Sequence, residues 1–509
     1  MDRPAPHPPF AWRSALVLAG AKLVLHGALA ARYGLFRDEL YFLDCARHPM
    51  WGYVDDAPAI AWLAKLALLL GGSLPAVRIL AALAGAGTVL LACLLAREFG
   101  GRRFAQVLAG LCVLAAPVFL VEHGLLCVGA FEPLVWLGCV LLLLRIQATG
   151  DGRLWLAFGA LAGLGVLLKY TMGLVLICML AGMACTSLRR WLGHRLLWAG
   201  AAVAVALFLP TLLWQIRNHW PLLVDLATIR RTHKNVELPP LPFLASQVMM
   251  VQPLIALIWI PGLVRLLRRG AFRAPGLFYL FLLGAMMLLR AKDYYLAAAY
   301  PLLFAAGAAA WEEALEAWAW TRGSRWPKPV GAGLVAAMVL IGIPPFTPLL
   351  APERLHALHA RLGLHENPEN SHGPLLQPFS DQFGWRELAQ ETASIYQALP
   401  SETRAVTGIW TANYGEAGAI DWYGPSLGLP PAVCGHNACS FWSFPSKAPT
   451  AFIVLGFNRR FLEQGFRSVV QVGSHHHPWG MALENQPIFL CRELNRPFPE
   501  LWKKTIFWN

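Results

Sequence analysis

Residues 196–213 read LLWAGAAVAVALFLPTLL, a run without a single charge. A helix needs about 20 mostly apolar residues to cross a bilayer, and fewer where neighbouring helices bury it. Leu134 to Leu144 is a second run of the same kind. The composition agrees with both. The 509 residues are 57% hydrophobic and 14% charged, against about 25% charged in soluble globular chains, and the mean hydropathy is +0.49. Working outward, about eleven apolar stretches emerge, near 12–33, 75–96, 104–121, 132–148, 154–169, 171–188, 196–216, 243–266, 275–290, 294–311 and 330–350. The expected fold is a polytopic α-helical membrane protein over residues 1–350, with an external loop at 34–74. The first stretch lacks a small-residue cleavage site and runs straight into a charged loop, so it is expected to stay as an anchor.

The net charge of +13 does not call for nucleic acid, because the basic residues gather in short loops between apolar runs. Arg97, Arg102 and Arg103 form one group, and Arg189, Arg190, His194 and Arg195 another. Arg265, Arg268, Arg269 and Arg273 make a third, and Arg322, Arg325 and Lys328 a fourth. If the spans alternate, all four groups share one side with Arg3 and Arg13. Positive loops remain in the cytoplasm, which puts the N-terminus inside and residues 351–509 outside. Arg230, Arg231, His233 and Lys234 fall on the external side, where a basic patch suits an anionic ligand.

Residues 351–509 are polar and rich in Pro and His. Trp385, Leu388, Thr392, Ile395 and Leu399 share one helical face. Short β-type runs follow at Ala405–Trp410, Ala451–Leu455, Val469–Val472 and Ile488–Cys491, with helical stretches near 413–423 and 457–464. The alternation predicts a small α/β domain. Cys434 and Cys439 lie close together there; in an exported domain a disulfide and two free thiols are equally compatible with the spacing.

The first external loop carries the densest chemistry. It reads Phe36-Arg37-Asp38-Glu39-Leu40-Tyr41-Phe42 and then Met50-Trp51-Gly52-Tyr53-Val54-Asp55-Asp56-Ala57-Pro58. Asp38 and Glu39 are expected where the first span ends. A carboxylate held near a bilayer is costly, about 2.5–3.5 kcal/mol at the centre, and so usually has a function. Acids in external loops are most often simply solvated. Here Tyr41, Phe42, Trp51 and Tyr53 interleave them, as in a groove beside lipid headgroups. At the next external boundary Glu122 and His123 close a span and Glu132-Pro133 opens one; Glu132 suits a helix cap as well as a catalytic acid. Arg290, Lys292, Tyr294 and Tyr295 mark a third boundary, and Lys169-Tyr170 repeats the pairing of cation and ring. These cations suit a phosphate, or mark the interface as snorkelling side chains. Together the outer residues supply what glycosyl transfer from a phospholipid needs. A carboxylate takes the proton from an acceptor hydroxyl, cations stabilise the departing phosphate, and rings and apolar grooves hold sugar and prenyl chain. No phosphate-cradling glycine loop is present, and a lipid carrier is the natural donor outside the cytoplasm.

At this point the sequence resembles the bacterial membrane glycosyltransferases related to protein O-mannosyltransferases and to the lipid A aminoarabinose transferase, all of GT-C fold. The resemblance rests on Asp38-Glu39, on Trp51 to Pro58, and on Glu132-Pro133. It continues through Leu167 to Tyr170, Lys292 to Pro301, Asn413 to Gly424 and Gly435 to Asn437. It implies inverting transfer of a sugar from a polyprenyl-phosphate donor to an envelope acceptor (lipid, glycan or protein) at the outer face of the bacterial cytoplasmic (inner) membrane. Asp38 would be the base, with Glu39 and Glu132 as further catalytic acids. Substrate would be held by Tyr53, Asp55, Asp56, Lys169, Tyr170, Arg290, Lys292, Tyr294 and Tyr295. The family usually has a proline or lysine immediately before the loop proline; this chain has Ala57. Phosphate binding then falls to Lys169, Arg290, Lys292 or the 230–234 patch.

The partners expected are therefore a lipid-linked sugar, an envelope acceptor and membrane lipid, and no nucleic acid. No cofactor is certain; a divalent metal is compatible with the chemistry and not required by it. His475, His476 and His477 are adjacent and cannot all face one ion from a regular strand; with His436 they would make a zinc site, but a surface loop fits better. A flippase or transporter of lipid-linked sugars is the alternative reading. It predicts paired half-repeats and acids buried mid-span, whereas the acids here cluster at outer ends. An assembly protein with an external binding tail would account for residues 351–509 but not for the Asp38-Glu39 loop.

Overall fold

The computed structural model of the protein describes residues 8–232, 237–317, 326–364, 373–446 and 448–508. His233 and Lys234 of the basic external stretch, and Arg3, Arg322 and Arg325 of the loop pattern, lie outside the described residues.

Helix covers each of the eleven apolar stretches. Among the described residues, six helices are long and apolar enough to cross a membrane: Leu74–Glu98, Val128–Thr149, Arg195–Arg217, Gly270–Leu288, Asp293–Ala317 and Lys328–Phe346. Two bent pairs raise this to eight if each is one span: Met172–Ala184 with Ser187–Gly193, bent by 115°, and Pro240–Met250 with Pro253–Arg268, bent by 95°. The other stretches fall on Trp12–Leu29, on Leu154–Leu168, and on Arg103–Ala115 followed by Pro117–Glu122. That last break has a local cause. Pro117 forces Ala116 into extended backbone, φ −70° and ψ 122°, because a residue before proline is pushed out of the helical region.

By compactness the chain forms two units that interleave along the sequence. The first comprises Met1–Ala30, Arg78–Trp214 and Asn235–Thr347; the second comprises Ala31–Val77, Gln215–Lys234 and Pro348–Asn509. The first unit is helical. A buried polar network fixes its 293–300 stretch. The Tyr300 hydroxyl donates to Gln247 Oε1 at 3.2 Å and lies 3.2 Å from the Tyr279 hydroxyl, while Gln247 Nε2 donates to the Asp293 carbonyl at 3.1 Å. Each hydroxyl and amide thus has a partner where water is excluded.

The second unit holds the loop at 34–74 and the C-terminal region. The loop folds as two helices, Arg37–Arg47 and Ala59–Leu69. The C-terminal region contains a five-stranded sheet: β1 Thr407–Thr411, β2 Ala432–Cys434, β3 Ala451–Leu455, β4 Phe466–His475 and β5 Gln486–Leu494, in the order β2-β1-β3-β5-β4. β1 pairs in parallel with β2 and β3, whereas β5 is antiparallel to β3 and β4. Trp410, Phe452, Val454, Phe466, Phe489 and Phe498 pack its apolar core. The expected α/β character holds, and β3 falls on the expected residues. β2 is an additional strand of three residues, too short for a period-2 pattern to register.

Candidate functional site

The loop acids are organised by a helix start. The sequence suggested that Asp38 ends the first apolar helix. That helix stops at Leu29, and Asp38 instead lies in the first turn of a second helix, Arg37–Arg47. Glu39 explains the second start. Its Oε2 accepts from the Phe36 N–H at 2.8 Å, so it closes one of the orphan backbone donors of a helix N-terminus. The Glu39 side chain is fully buried. The Arg37 N–H donates to the Asp381 carbonyl at 3.1 Å, which ties this helix start to the C-terminal region.

Asp38 is half-buried. Its Oδ1 accepts from the Tyr414 hydroxyl at 3.0 Å. Asp55 is held on both oxygens: the Tyr41 hydroxyl donates to Oδ1 at 2.7 Å and Asn437 Nδ2 to Oδ2 at 2.8 Å. The Tyr41 and Tyr414 rings lie 4.6 Å apart, and the Ala438 N–H donates to the Tyr41 hydroxyl at 3.2 Å. The Arg37 guanidinium sits 4.6 Å over the Tyr414 ring, within the range of a cation–π contact. Its Nε has no hydrogen-bond partner among the described residues.

The electrostatics follow from this crowding. Burial pushes the Asp55 carboxyl above its usual value and the nearby charge of Asp38 adds to this, while the hydrogen bonds from Tyr41 and Asn437 oppose it. Burial and the neighbouring acids also push the Tyr41 and Tyr414 hydroxyls well up, so both stay protonated and remain donors. Burial works against the charge of Arg37, but Tyr414, Glu484, Asp381 and Asp38 outweigh it and raise its pKa. One fixed cation thus balances several acids.

The remaining loop residues have mainly architectural contacts. Tyr53 is fully buried. Its hydroxyl lies 3.0 Å from the Cys45 carbonyl and 3.2 Å from that of His48, and accepts from the Met50 N–H at 3.2 Å. The Tyr53 N–H donates to the Asp56 carbonyl at 3.2 Å, closing the turn that presents Asp55. Asp56 is half-buried.

In the first unit, Glu132 opens the helix Glu132–Thr149 and is buried. Lys169 Nζ donates to its Oε2 at 2.9 Å and lies 4.0 Å over the Tyr295 ring. Three of the expected residues, Glu132, Lys169 and Tyr295, therefore meet. The Glu122 side chain packs where Gly129 has no side chain. Tyr170 stacks edge-on against Phe208 at 6.3 Å. Arg290 instead pairs with Glu237 at 2.6 Å on an exposed surface. Lys292 immediately precedes the short helix Asp293–Ala299, with Nζ 5.9 Å from the Tyr294 ring centroid.

Cys434 and Cys439 are both buried free thiols. His475 Nδ1 lies 2.7 Å from Glu391 Oε2, His477 stacks on Phe383, and His436 stacks on Phe507 at 4.4 Å. Among the described residues no three His, Cys, Asp or Glu side chains are arranged to hold a metal ion. The sequence reading gave no role to Arg37, Tyr414 or Asn437. The only signal for the last two was that they lie in the 413–424 and 435–437 motifs.

Residues 55–214 match the family model of dolichyl-phosphate-mannose-protein mannosyltransferases. No curated protein matches the chain. The crystal structure of ArnT from Cupriavidus metallidurans in the apo state is 15% identical, covers 94% of this chain and 98% of its own, and superposes with a TM-score of 0.61. The same protein bound to undecaprenyl phosphate is 17% identical over the same shares, with a TM-score of 0.56. At such identity the likeness is one of fold, and it runs through the helices and the C-terminal sheet region alike. The chain thus has the fold of a GT-C glycosyltransferase, and within it residues 55–214 match the mannosyltransferase family model.

Proposed function

We propose that the chain is a multi-pass inner-membrane glycosyltransferase that moves a sugar from a polyprenyl-phosphate donor to a cell-envelope acceptor at the outer face, with inversion and with Asp38 as base. The observation that carries the reading is the state of the two loop carboxylates. Asp55 is occupied on both oxygens, whereas Asp38 is held through Oδ1 alone. Its Oδ2 has no hydrogen-bond partner among the described residues, and on this reading it receives the acceptor hydroxyl. A base must lie within hydrogen-bond reach of the proton it takes, and a carboxylate oriented on one oxygen and open on the other meets that need. Of Lys169, Arg290 and Lys292, Lys292 is the cation assigned to the donor phosphate, since Lys169 is committed to Glu132 and Arg290 to Glu237. Undecaprenyl phosphate in the ArnT structure supports the donor class. Residues 1–350 form the membrane part and 351–509 an external domain, with the N-terminus cytoplasmic.

The test is transfer of labelled sugar from a panel of polyprenyl-phosphate sugars by purified protein in nanodiscs, with the anomeric configuration of the product read by NMR. Transfer with inversion is expected. Absence of transfer from every such donor, or retention of configuration, would sink the proposal.

A further inference from the structure

We propose that the C-terminal region completes the reaction centre, with Tyr414 and Asn437 as positioning residues that set the two loop carboxylates, Tyr414 for Asp38 and Asn437 for Asp55. This rests on the glycosyl-transfer reading above and deepens it. The first support is direct contact, at 3.0 Å and 2.8 Å respectively. The second is topology. β1 and β2 are adjacent and parallel, with Thr411 opposite Cys434. Tyr414 is the third residue after Thr411 and Asn437 the third after Cys434. Both side chains therefore leave the carboxyl ends of neighbouring parallel strands, where open α/β sheets place their ligand-contacting residues.

The third support is that both residues are held firmly. Tyr414 opens the helix Tyr414–Tyr423, whose start is fixed by Asn413 Oδ1 accepting from the Gly415 and Glu416 N–H groups at 2.9 and 3.0 Å. Glu416 Oε2 in turn accepts from the Ala412 and Asn413 N–H groups at 2.8 and 3.3 Å. Asn437 has φ +46°, a left-handed backbone that costs energy in any residue but glycine and concentrates at functional sites. Its N–H donates to the Phe507 carbonyl at 3.0 Å, and its carbonyl accepts from the Ser440 hydroxyl at 2.7 Å. The division of labour follows. Two donors fix Asp55 and leave it no free oxygen, while one donor orients Asp38 and leaves an oxygen for the acceptor.

The experiment uses the full chain in nanodiscs, with donor-binding stoichiometry counting the folded fraction. Tyr414→Phe keeps the ring against Tyr41 and His436 and loses only the hydroxyl. It should lower kcat per donor-binding site by about 10- to 100-fold, the scale of a hydrogen bond to a charged group, with donor KM unchanged. Asn437→Gly relieves the left-handed backbone while removing the amide. Relief of the backbone offsets part of the cost of leaving the buried Asp55 oxygen without its donor; the melting temperature should fall modestly, while kcat per donor-binding site falls by about tenfold. Wild-type kcat in both variants overturns the positioning role and leaves the transfer reading intact. A loss of rate that only tracks a loss of binding sites also overturns it, because folding alone would then be affected. A wild-type protein that transfers nothing from polyprenyl-phosphate sugars removes the transfer reading and this proposal with it.

Discussion

Asp38→Asn is the perturbation that separates charge from shape at the proposed base. The amide oxygen of an asparagine still accepts from the Tyr414 hydroxyl, now 3.0 Å from Asp38 Oδ1, so the side chain keeps its orientation. Arg37 loses one of the acids around it but keeps Asp381 and Glu484. Asp38 is only half-buried, which limits the stability cost to roughly 1 kcal/mol or less. The chemistry loses much more. Removing a general base lowers turnover by about 10²- to 10⁴-fold, which is about 2.7–5.5 kcal/mol of activation free energy. The assay is sugar transfer at saturating donor, beside thermal unfolding and donor binding on the same preparation. Unfolding and binding should match wild type while kcat collapses. Glu39→Gln is the control, since a glutamine oxygen still caps the Phe36 N–H; its turnover should fall less than tenfold, by roughly the scale of one weakened cap. Near wild-type turnover in Asp38→Asn would refute the assignment, and Asp55 or Glu132 would become the next candidate.

Further outcomes follow from the same geometry. Lys169→Ala leaves the buried Glu132 without its ion partner and should destabilise the protein by about 3 kcal/mol, seen as a lower unfolding midpoint; Lys292→Ala should fold normally and raise donor KM, and an unchanged donor response would make Lys292 an interface anchor. Glu416 is pushed up to about 8 by burial and by the charge of Glu484, so its folded pKa lies above its unfolded value. The stability it contributes is full below about 4.5 and is lost as pH rises through about 8. The unfolding midpoint should fall over that window and Glu416→Gln should flatten the fall; an unchanged slope would contradict the shift. A reporter fused after Asn509 should be active only when exported, and cytoplasmic activity would overturn the orientation.

The long apolar helices were legible because length and apolarity alone mark a candidate span, whatever its neighbours do. Where the pattern blurred, a local residue explains it: Pro117 splits one apolar stretch into two helices, and Gln252, at φ +78°, breaks another just before Pro253. β3 was legible because Ala451–Leu455 is apolar throughout, as a strand buried on both faces should be. β2 was not, because Ala432-Val433-Cys434 is too short to show a period. The helix start at Arg37 was hidden for another reason. Phe36 offers no side-chain oxygen, so the usual capping signal of Ser, Thr, Asp or Asn is missing, and only Glu39 at the third position betrays it. The partners of the loop acids could not be read at all. Tyr414 and Asp38 are 376 residues apart, and no local pattern encodes a contact at that separation.

Two glycines next to Tyr414 mark the close packing on which that contact depends, though they do not name its partner. Asn413 to Gly424 contains glycines at 415 and 418, three apart and so on one helical face. A Cβ at Gly418 would come within 2.8 Å of Leu40 Cβ, and one at Gly415 within 2.9 Å of Arg37 Cγ. The two glycines are therefore where the Arg37–Arg47 helix approaches the Tyr414–Tyr423 helix. The approach is what brings the Tyr414 hydroxyl to Asp38 and its ring under Arg37. Small residues that look like tolerance for any side chain are thus the positions with the least room. The acids that announced the site in the sequence depend on them for their geometry. Charge pattern singled out residues 34–74, but the hydrogen bonds that hold Asp38 and Asp55 come from Tyr414 and Asn437, which follow β1 and β2 on the far side of the chain's sequence.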